Sequence, residues 1–284
     1  MVGHIRVADH IVEQLSAVGV RYLFGVDGAN IEDLYDAAHF HAGITAVLAK
    51  HEFSAAAMAD GYSRAGCGLG VVMATSGGGA LNLIPGLGES LASRVPVLAL
   101  VGQQPTVQDG RGGFQDTSGR NGALDAEALF SAVSLYCRRI AAADQILTAL
   151  PQAIAAARRG GPAVLLLPKD VQQSRAPLSG HLAAAPAPSI TGDPWPLARA
   201  LRSARGPVTI IAGEQVARDD AREELERVRA LLRARVATVP DAKDVSGSPG
   251  LGKSSSLGVT GVIVGRALYE GSFSVAEALD ILGD

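Results

Sequence analysis

Lys50, His51 and Glu52 set an ammonium, an imidazole and a carboxyl side by side at the start of a helix expected over 51–64. A carboxyl in that place can exchange a proton with a ligand. It can equally do no more than complement the positive end of the helix dipole. Three other segments have comparable positions: Gly25-Val26-Asp27-Gly28-Ala29-Asn30, the run Thr75-Ser76-Gly77-Gly78-Gly79-Ala80-Leu81-Asn82, and residues 102–116. Each follows a β-rich run, and parallel α/β sheets bind ligands beyond the carboxyl ends of their strands. Singly, each reads as a tight turn. The histidines at 4, 10, 39, 41, 51 and 181 show no metal-ligand spacing, so no metal ligand is expected. Cys67 and Cys137 stand far apart and are expected to be free, buried thiols.

The elements that would hold these residues alternate. Strands are expected at 21–26, 44–49, 70–75, 95–101 and 162–167, and helices at 7–18, 31–38, 51–64, 80–92, 126–133 and 144–159. That makes five or six strands joined by crossovers, an α/β fold with a parallel sheet and helices on both faces. Residues 102–122 form a long polar, Gly-rich loop, of the kind that is more often functional than decorative. Prolines at 177, 186, 188, 194 and 196 mark a linker over 176–196. Beyond it, helices at 197–204 and 219–234 and strands at 208–212 and 236–239 suggest a smaller, partial α/β domain over 197–284.

Composition excludes several classes. The 284 residues are 48% hydrophobic and 19% charged, which suits a globular core. With 25 Lys+Arg against 28 Asp+Glu the net charge is −3, so no basic field awaits a nucleic acid. No signal peptide is evident and no apolar run approaches the ~20 residues of a membrane span. A cytoplasmic protein is the expectation.

In combination and in order, the segments carry a specific resemblance. Lys50-His51-Glu52 through Ala59-Asp60-Gly61-Tyr62-Ser63-Arg64 resembles the glutamate segment of thiamine-diphosphate enzymes of the acetolactate synthase and 2-oxo acid decarboxylase type. The run from Thr75 to Leu83, the strand Val95-Pro96-Val97-Leu98-Ala99-Leu100-Val101-Gly102-Gln103, the loop residues Phe114-Gln115-Asp116 and the segment from Gly161 to Val171 resemble its successive parts. The likeness covers residues 5–175 and implies the family's pyrimidine-binding domain, a six-stranded parallel sheet, over 1–175. It implies that Glu52 hydrogen-bonds the cofactor's aminopyrimidine nitrogen and shifts the ring to the imino form that deprotonates the thiazolium carbon. It further implies that Gly28, Gly78 and Asn82 line the pyrimidine pocket, and that Gln103, Phe114 and Gln115 face the reacting carbon and a 2-oxo acid substrate. The family commonly has Pro at Gly78 and beside Gly28, where this chain has Asp27.

The family's diphosphate and magnesium site is a Gly-Asp-Gly segment followed by Asn, and no Gly-Asp-Gly occurs in these residues. The resemblance therefore implies a subunit that is inactive alone, with Mg²⁺ bound only through a partner chain carrying the diphosphate domain, in addition to or instead of a homo-oligomer. The other reading is a non-catalytic relative acting as a binding or regulatory module. Residues 197–245, with Val236-Ala237-Thr238-Val239-Pro240-Asp241-Ala242-Lys243, resemble the opening of the family's central domain. Gly247 to Ser254 fits Gly-x4-Gly-Lys-Ser, but poor helix sequence follows, so a phosphate loop is not expected. Gly258 to Gly271 resembles the last strand and helix of phosphoribosyl isomerase barrels, or else completes the small second domain.

Overall fold

A computed structural model describes residues 3–177, 193, 195–203, 206–239, 242 and 245. The chain divides into two compact units, one within 1–189 and one within 190–284.

In the first unit the order is β1 (His4–Arg6), α1 (Val7–Ala17), β2 (Tyr22–Gly25), α2 (Glu32–His39), β3 (Thr45–Leu48), α3 (Glu52–Arg64), β4 (Gly70–Ala74), α4 (Gly78–Leu81), α5 (Ile84–Ala92) and β5 (Val97–Gln103). After the long loop come α6 (Ala126–Ser131), β6 (Tyr136–Arg139), α7 (Ile146–Arg158), β7 (Pro162–Pro168), α8 (Lys169–Gln173) and β8 (Arg175–Pro177). Six strands pair in the order β3-β2-β4-β5-β7-β6, and every pairing is parallel.

The central strands show why helices must cover both faces. Val71, Met73, Leu98, Leu100, Ala163, Leu165 and Leu167 pack into one cluster with α1, α2 and α7. Their neighbours Val72, Ala74, Val97, Ala99, Val101, Val164 and Leu166 pack into another with α3, α5 and α6. The period of two along each strand sends alternate apolar side chains to opposite sides, and water is excluded from both. The Ala- and Gly-rich composition allows close approach. A Cβ on Gly70 would lie 2.0 Å from the Ala59 carbonyl oxygen, and one on Gly86 would lie 2.5 Å from the Ala56 Cβ, so α3 sits tightly against β4 and α5.

Three details differ from the pattern read in the sequence. The helix expected over 80–92 is two, α4 and α5, with a break at Asn82 and Leu83. Strand β6 was not among the expected runs; its four residues are half-buried at the sheet edge and two are arginines. Cys67 is exposed, not buried, because it lies in the turn that ends α3. In addition, β1 and β8 pair antiparallel, Ile5 opposite Ala176, bringing the start of the unit against the strand at 175–177.

The second unit contains α9 (Trp195–Ser203), β9 (Thr209–Ala212), α10 (Gln215–Arg218), α11 (Arg222–Leu232) and β10 (Arg235–Thr238), with β9 and β10 parallel. Ala212, Leu225, Val236, Ala242 and Val245 form its small core. The helix expected over 219–234 begins only at Arg222. Residues 247–254 and 258–284, with their phosphate-loop and barrel-like patterns, lie outside the described residues.

Candidate active site

All six parallel strands end on one edge, and the chain reverses its direction across the sheet there. The path from β2 runs outward to β3 and then back past β2 to β4. The crevice at such a reversal is the usual ligand position of an open α/β sheet. The loops after β2, β3 and β4 carry Gly28, Glu52 and the 75–82 turn respectively.

Glu52 is the first residue of α3. Its cap, His51, accepts a hydrogen bond at Nδ1 from the Phe53 N–H (3.1 Å), which fixes the chain's entry into the helix. Glu52 Oε2 accepts from Asn82 Nδ2 at 2.9 Å. Asn82 stands at the break between α4 and α5, and the break is what turns it toward Glu52. The other oxygen, Oε1, faces Gly79, where a Cβ would come to 3.0 Å from it and to 3.0 Å from Thr75 Cγ2. Glycine at 79 thus leaves the space beside the carboxyl open.

Gly28 is required by its neighbours in another way. A Cβ there would lie 2.7 Å from Thr75 Cβ, so the loops after β2 and β4 touch at this point. The same two loops are bonded through Asn30, whose N–H donates to Thr75 Oγ1 (3.2 Å) and whose Nδ2 donates to Ser76 Oγ (2.7 Å). Ser76 Oγ in turn donates to Gln115 Oε1 (3.2 Å). Gly77, with φ +63°, takes a conformation that side chains rarely adopt, and the Gln115 side chain lies against it. The Tyr35 hydroxyl, close under Gly25, is buried without a hydrogen-bond partner among the described residues. Burial, reinforced by the carboxylates of Asp27 and Glu52, pushes its pKa well above the ordinary phenol range.

The structure therefore brings Glu52 and Asn82 together directly and seats Gln115 on the adjoining turn. Gly78 is exposed, with open space around the position of a Cβ. Phe114 is 70% exposed at the tip of the 104–122 loop. Gln103 lies elsewhere, fully buried beneath that loop. Its Nε2 donates to the Thr117 carbonyl (3.2 Å) and hydroxyl (3.1 Å), and its Oε1 accepts from Arg139 Nε (2.6 Å). Asn30, Thr75, Ser76 and Gly79 were not singled out by sequence reasoning, although all fall inside its four segments. Arg139 gave no signal at all. Among the described residues no three His, Cys, Asp or Glu side chains form a group able to hold a metal ion. No helix among them is long and apolar enough to cross a membrane.

Comparison with known proteins points to one domain family. Residues 5–123 match the family "Thiamine pyrophosphate enzyme, N-terminal TPP binding domain". The chain is 34% identical over 242 residues to a probable acetolactate synthase large subunit of Methanococcus aeolicus, covering 81% of this chain and 39% of the relative. It is 36% identical over 166 residues to the acetolactate synthase isozyme 3 large subunit of Escherichia coli K12, covering 58% and 28%. Over 171 residues it is 35% identical to the glyoxylate carboligase of Escherichia coli O157:H7, covering 59% and 28%. The chain thus spans less than half the length of these relatives.

Proposed function

We propose that this chain, whose residues 5–123 match the N-terminal TPP-binding domain of thiamine pyrophosphate enzymes and resemble acetolactate synthase large subunits, supplies the pyrimidine-binding half of a carboligase or decarboxylase site acting on 2-oxo acids. The observation that carries the reading is the carboxyl of Glu52, held by Asn82 on one oxygen and left open beside Gly79 on the other.

These residues fit the group. The aminopyrimidine ring needs one carboxyl able to give and take a proton, and a cradle too tight for side chains. Asn82 donates to Oε2, which leaves Oε1 as the atom that would exchange a proton with the ring nitrogen. Gly79 keeps a Cβ away from Oε1, and Gly28 lets the loops after β2 and β4 close on each other at Thr75. Gln115, seated on Gly77, contributes an amide on the substrate side. When bound, thiamine diphosphate supplies the nucleophilic carbon that attacks a 2-oxo acid carbonyl.

The diphosphate and its Mg²⁺ are held by a second domain outside these residues, on a separate subunit or on further polypeptide. Leu48, Phe53, Met58 and Leu81, exposed on elements flanking Glu52 and Asn82, support the seating of another protein surface there.

The test is reconstitution with a protein carrying the Gly-Asp-Gly diphosphate domain, read by calorimetric binding of thiamine diphosphate with Mg²⁺ and by turnover of pyruvate or glyoxylate. Turnover is expected only in the mixture, and Glu52→Gln is expected to reduce it by at least about 10²-fold, the lower end of general acid–base contributions. Cofactor binding that is absent from every mixture would instead favour a binding or regulatory module.

A further inference from the structure

Between the sheet edge and the 104–122 loop lies a shielded polar cluster that the proposed chemistry leaves unused. Arg139, the last residue of β6, pairs with Asp109 (Nη2 to Oδ2, 2.9 Å), and the two side chains are 17% and 4% exposed. Its Nε donates to Gln103 Oε1 (2.6 Å). Gln103 reaches across to Thr117, while Gln104 Nε2 donates to Asp109 (3.1 Å) and to Asp116 (2.6 Å). Asp116 then accepts from the backbone N–H groups of Gly110 (2.8 Å) and Ser118 (2.8 Å). Burial raises the Asp116 pKa, but the bonds from Ser118, Gly110 and Gln104 outweigh it and hold the carboxyl below its usual range. The guanidinium therefore ties the 103–109 arm of the loop to β6, and Gln103 and Gln104 carry that tie on to the 116–118 arm.

Gln115 stands between those arms. Its backbone φ of +57° is left-handed, which a residue with a side chain keeps only where its surroundings over-determine it. The network supplies that constraint on its C-terminal side, through Asp116 and Thr117. Gly77 and Ser76 supply the contact on the site side.

We propose that Arg139 is a positioning residue: through Asp109 and Gln103 it latches the 104–122 loop so that Gln115 is seated on Gly77, in the turn that also carries Gly79 and leads to Asn82, where its amide meets a 2-oxo acid. The latch rests on the geometry alone, and its catalytic consequence rests on the carboligase reading. Removing Arg139 leaves the shielded Asp109 carboxylate without a countercharge and, among the described residues, with only the Gln104 amide bonded to it, which favours opening of the loop to hydrate it. Lysine at 139 can pair with Asp109 but has no second donor in a fixed fork for Gln103.

The test uses the full chain with Arg139→Met, Arg139→Lys and the neutral pair Arg139→Met/Asp109→Leu, which removes both charges and so preserves folding if the single variant does not. Hydrogen exchange at the amides of Gly110, Thr117 and Ser118 is expected to speed up by at least about tenfold in both Met variants, and less in Arg139→Lys. In the reconstituted enzyme the KM for the 2-oxo acid is expected to rise by about tenfold with kcat changed less than about twofold, as loss of binding without loss of chemistry requires. Unchanged exchange at all three amides in the neutral pair overturns the latch whatever the enzyme does. Faster exchange with an unchanged KM in a working enzyme overturns the positioning role. If the wild-type mixture has no turnover, the carboligase reading fails by itself and exchange still decides the latch.

Discussion

Glu52, Asn82 and Gly79 form a unit in which each residue type is set by a different requirement. Glu52 brings the carboxyl, Asn82 occupies one of its oxygens, and Gly79 keeps a Cβ away from the other. The last requirement is testable without turnover. Gly79→Ala places a methyl 3.0 Å from Oε1 and 3.0 Å from Thr75 Cγ2, so the carboxyl or the turn must shift by a few tenths of an ångström. Thiamine diphosphate affinity of the reconstituted protein is expected to fall by about tenfold, equivalent to about 1.4 kcal/mol. The melting temperature of the chain alone should move little. Equal affinity in the Ala variant, measured by calorimetry, would show that Oε1 does not face the ring. Glu52 could be singled out only through the family likeness of its segment, because a carboxyl at a helix start is by itself an ordinary complement to the helix dipole. Asn30, Thr75 and Ser76 could not, since their contacts join residues 45 or more positions apart.

At the scale of elements, the division of one expected helix into α4 and α5 is what aims Asn82 at Glu52. Pro85, in the first turn of α5, is the local signal of this break, because inside a continuous helix it would remove an intrahelical hydrogen bond, whereas in a first turn it removes none. Gly78 is the first residue of α4, where the N–H lacks an intrahelical acceptor and proline is readily accommodated. Its φ is not in the left-handed region, and the Cβ position is open. Gly78→Pro is therefore expected to stabilise the chain by about 0.4–1 kcal/mol through the unfolded state. Thermal and urea unfolding would check this, and a destabilised variant would mean that the turn needs a glycine conformation at 78. Strand β6 carries no such signal. Four residues with two arginines show no apolar alternation, and only pairing with β7 makes them a strand.

For the whole molecule, the first unit closes on itself. The strand β8 returns to β1, and Ala176 is fully buried at the pairing. The fragment 1–177 is expected to melt in one cooperative transition with the near-UV spectrum of the first unit. Ending the fragment at 174 removes β8 and should lower its melting temperature by about 5 °C, corresponding to roughly 2 kcal/mol in a domain of this size. Identical melting of the two fragments would show that the β1–β8 pair adds no stability. By itself the sequence determined the architecture, because both the two-residue period of buried strands and the spacing of helical faces are local properties of the chain. It also carried the family likeness that singles out Glu52, Gly28, Gly78 and Asn82. Only the tertiary structure decided which of them meet. Parallel crossovers gather the ends of β2, β3, β4 and β5 at one edge, placing Asn82 on Glu52 and Gln115 on Gly77, while Gln103 is drawn beneath the loop by Arg139. Those encounters depend on packing between distant segments, and no local pattern encodes them.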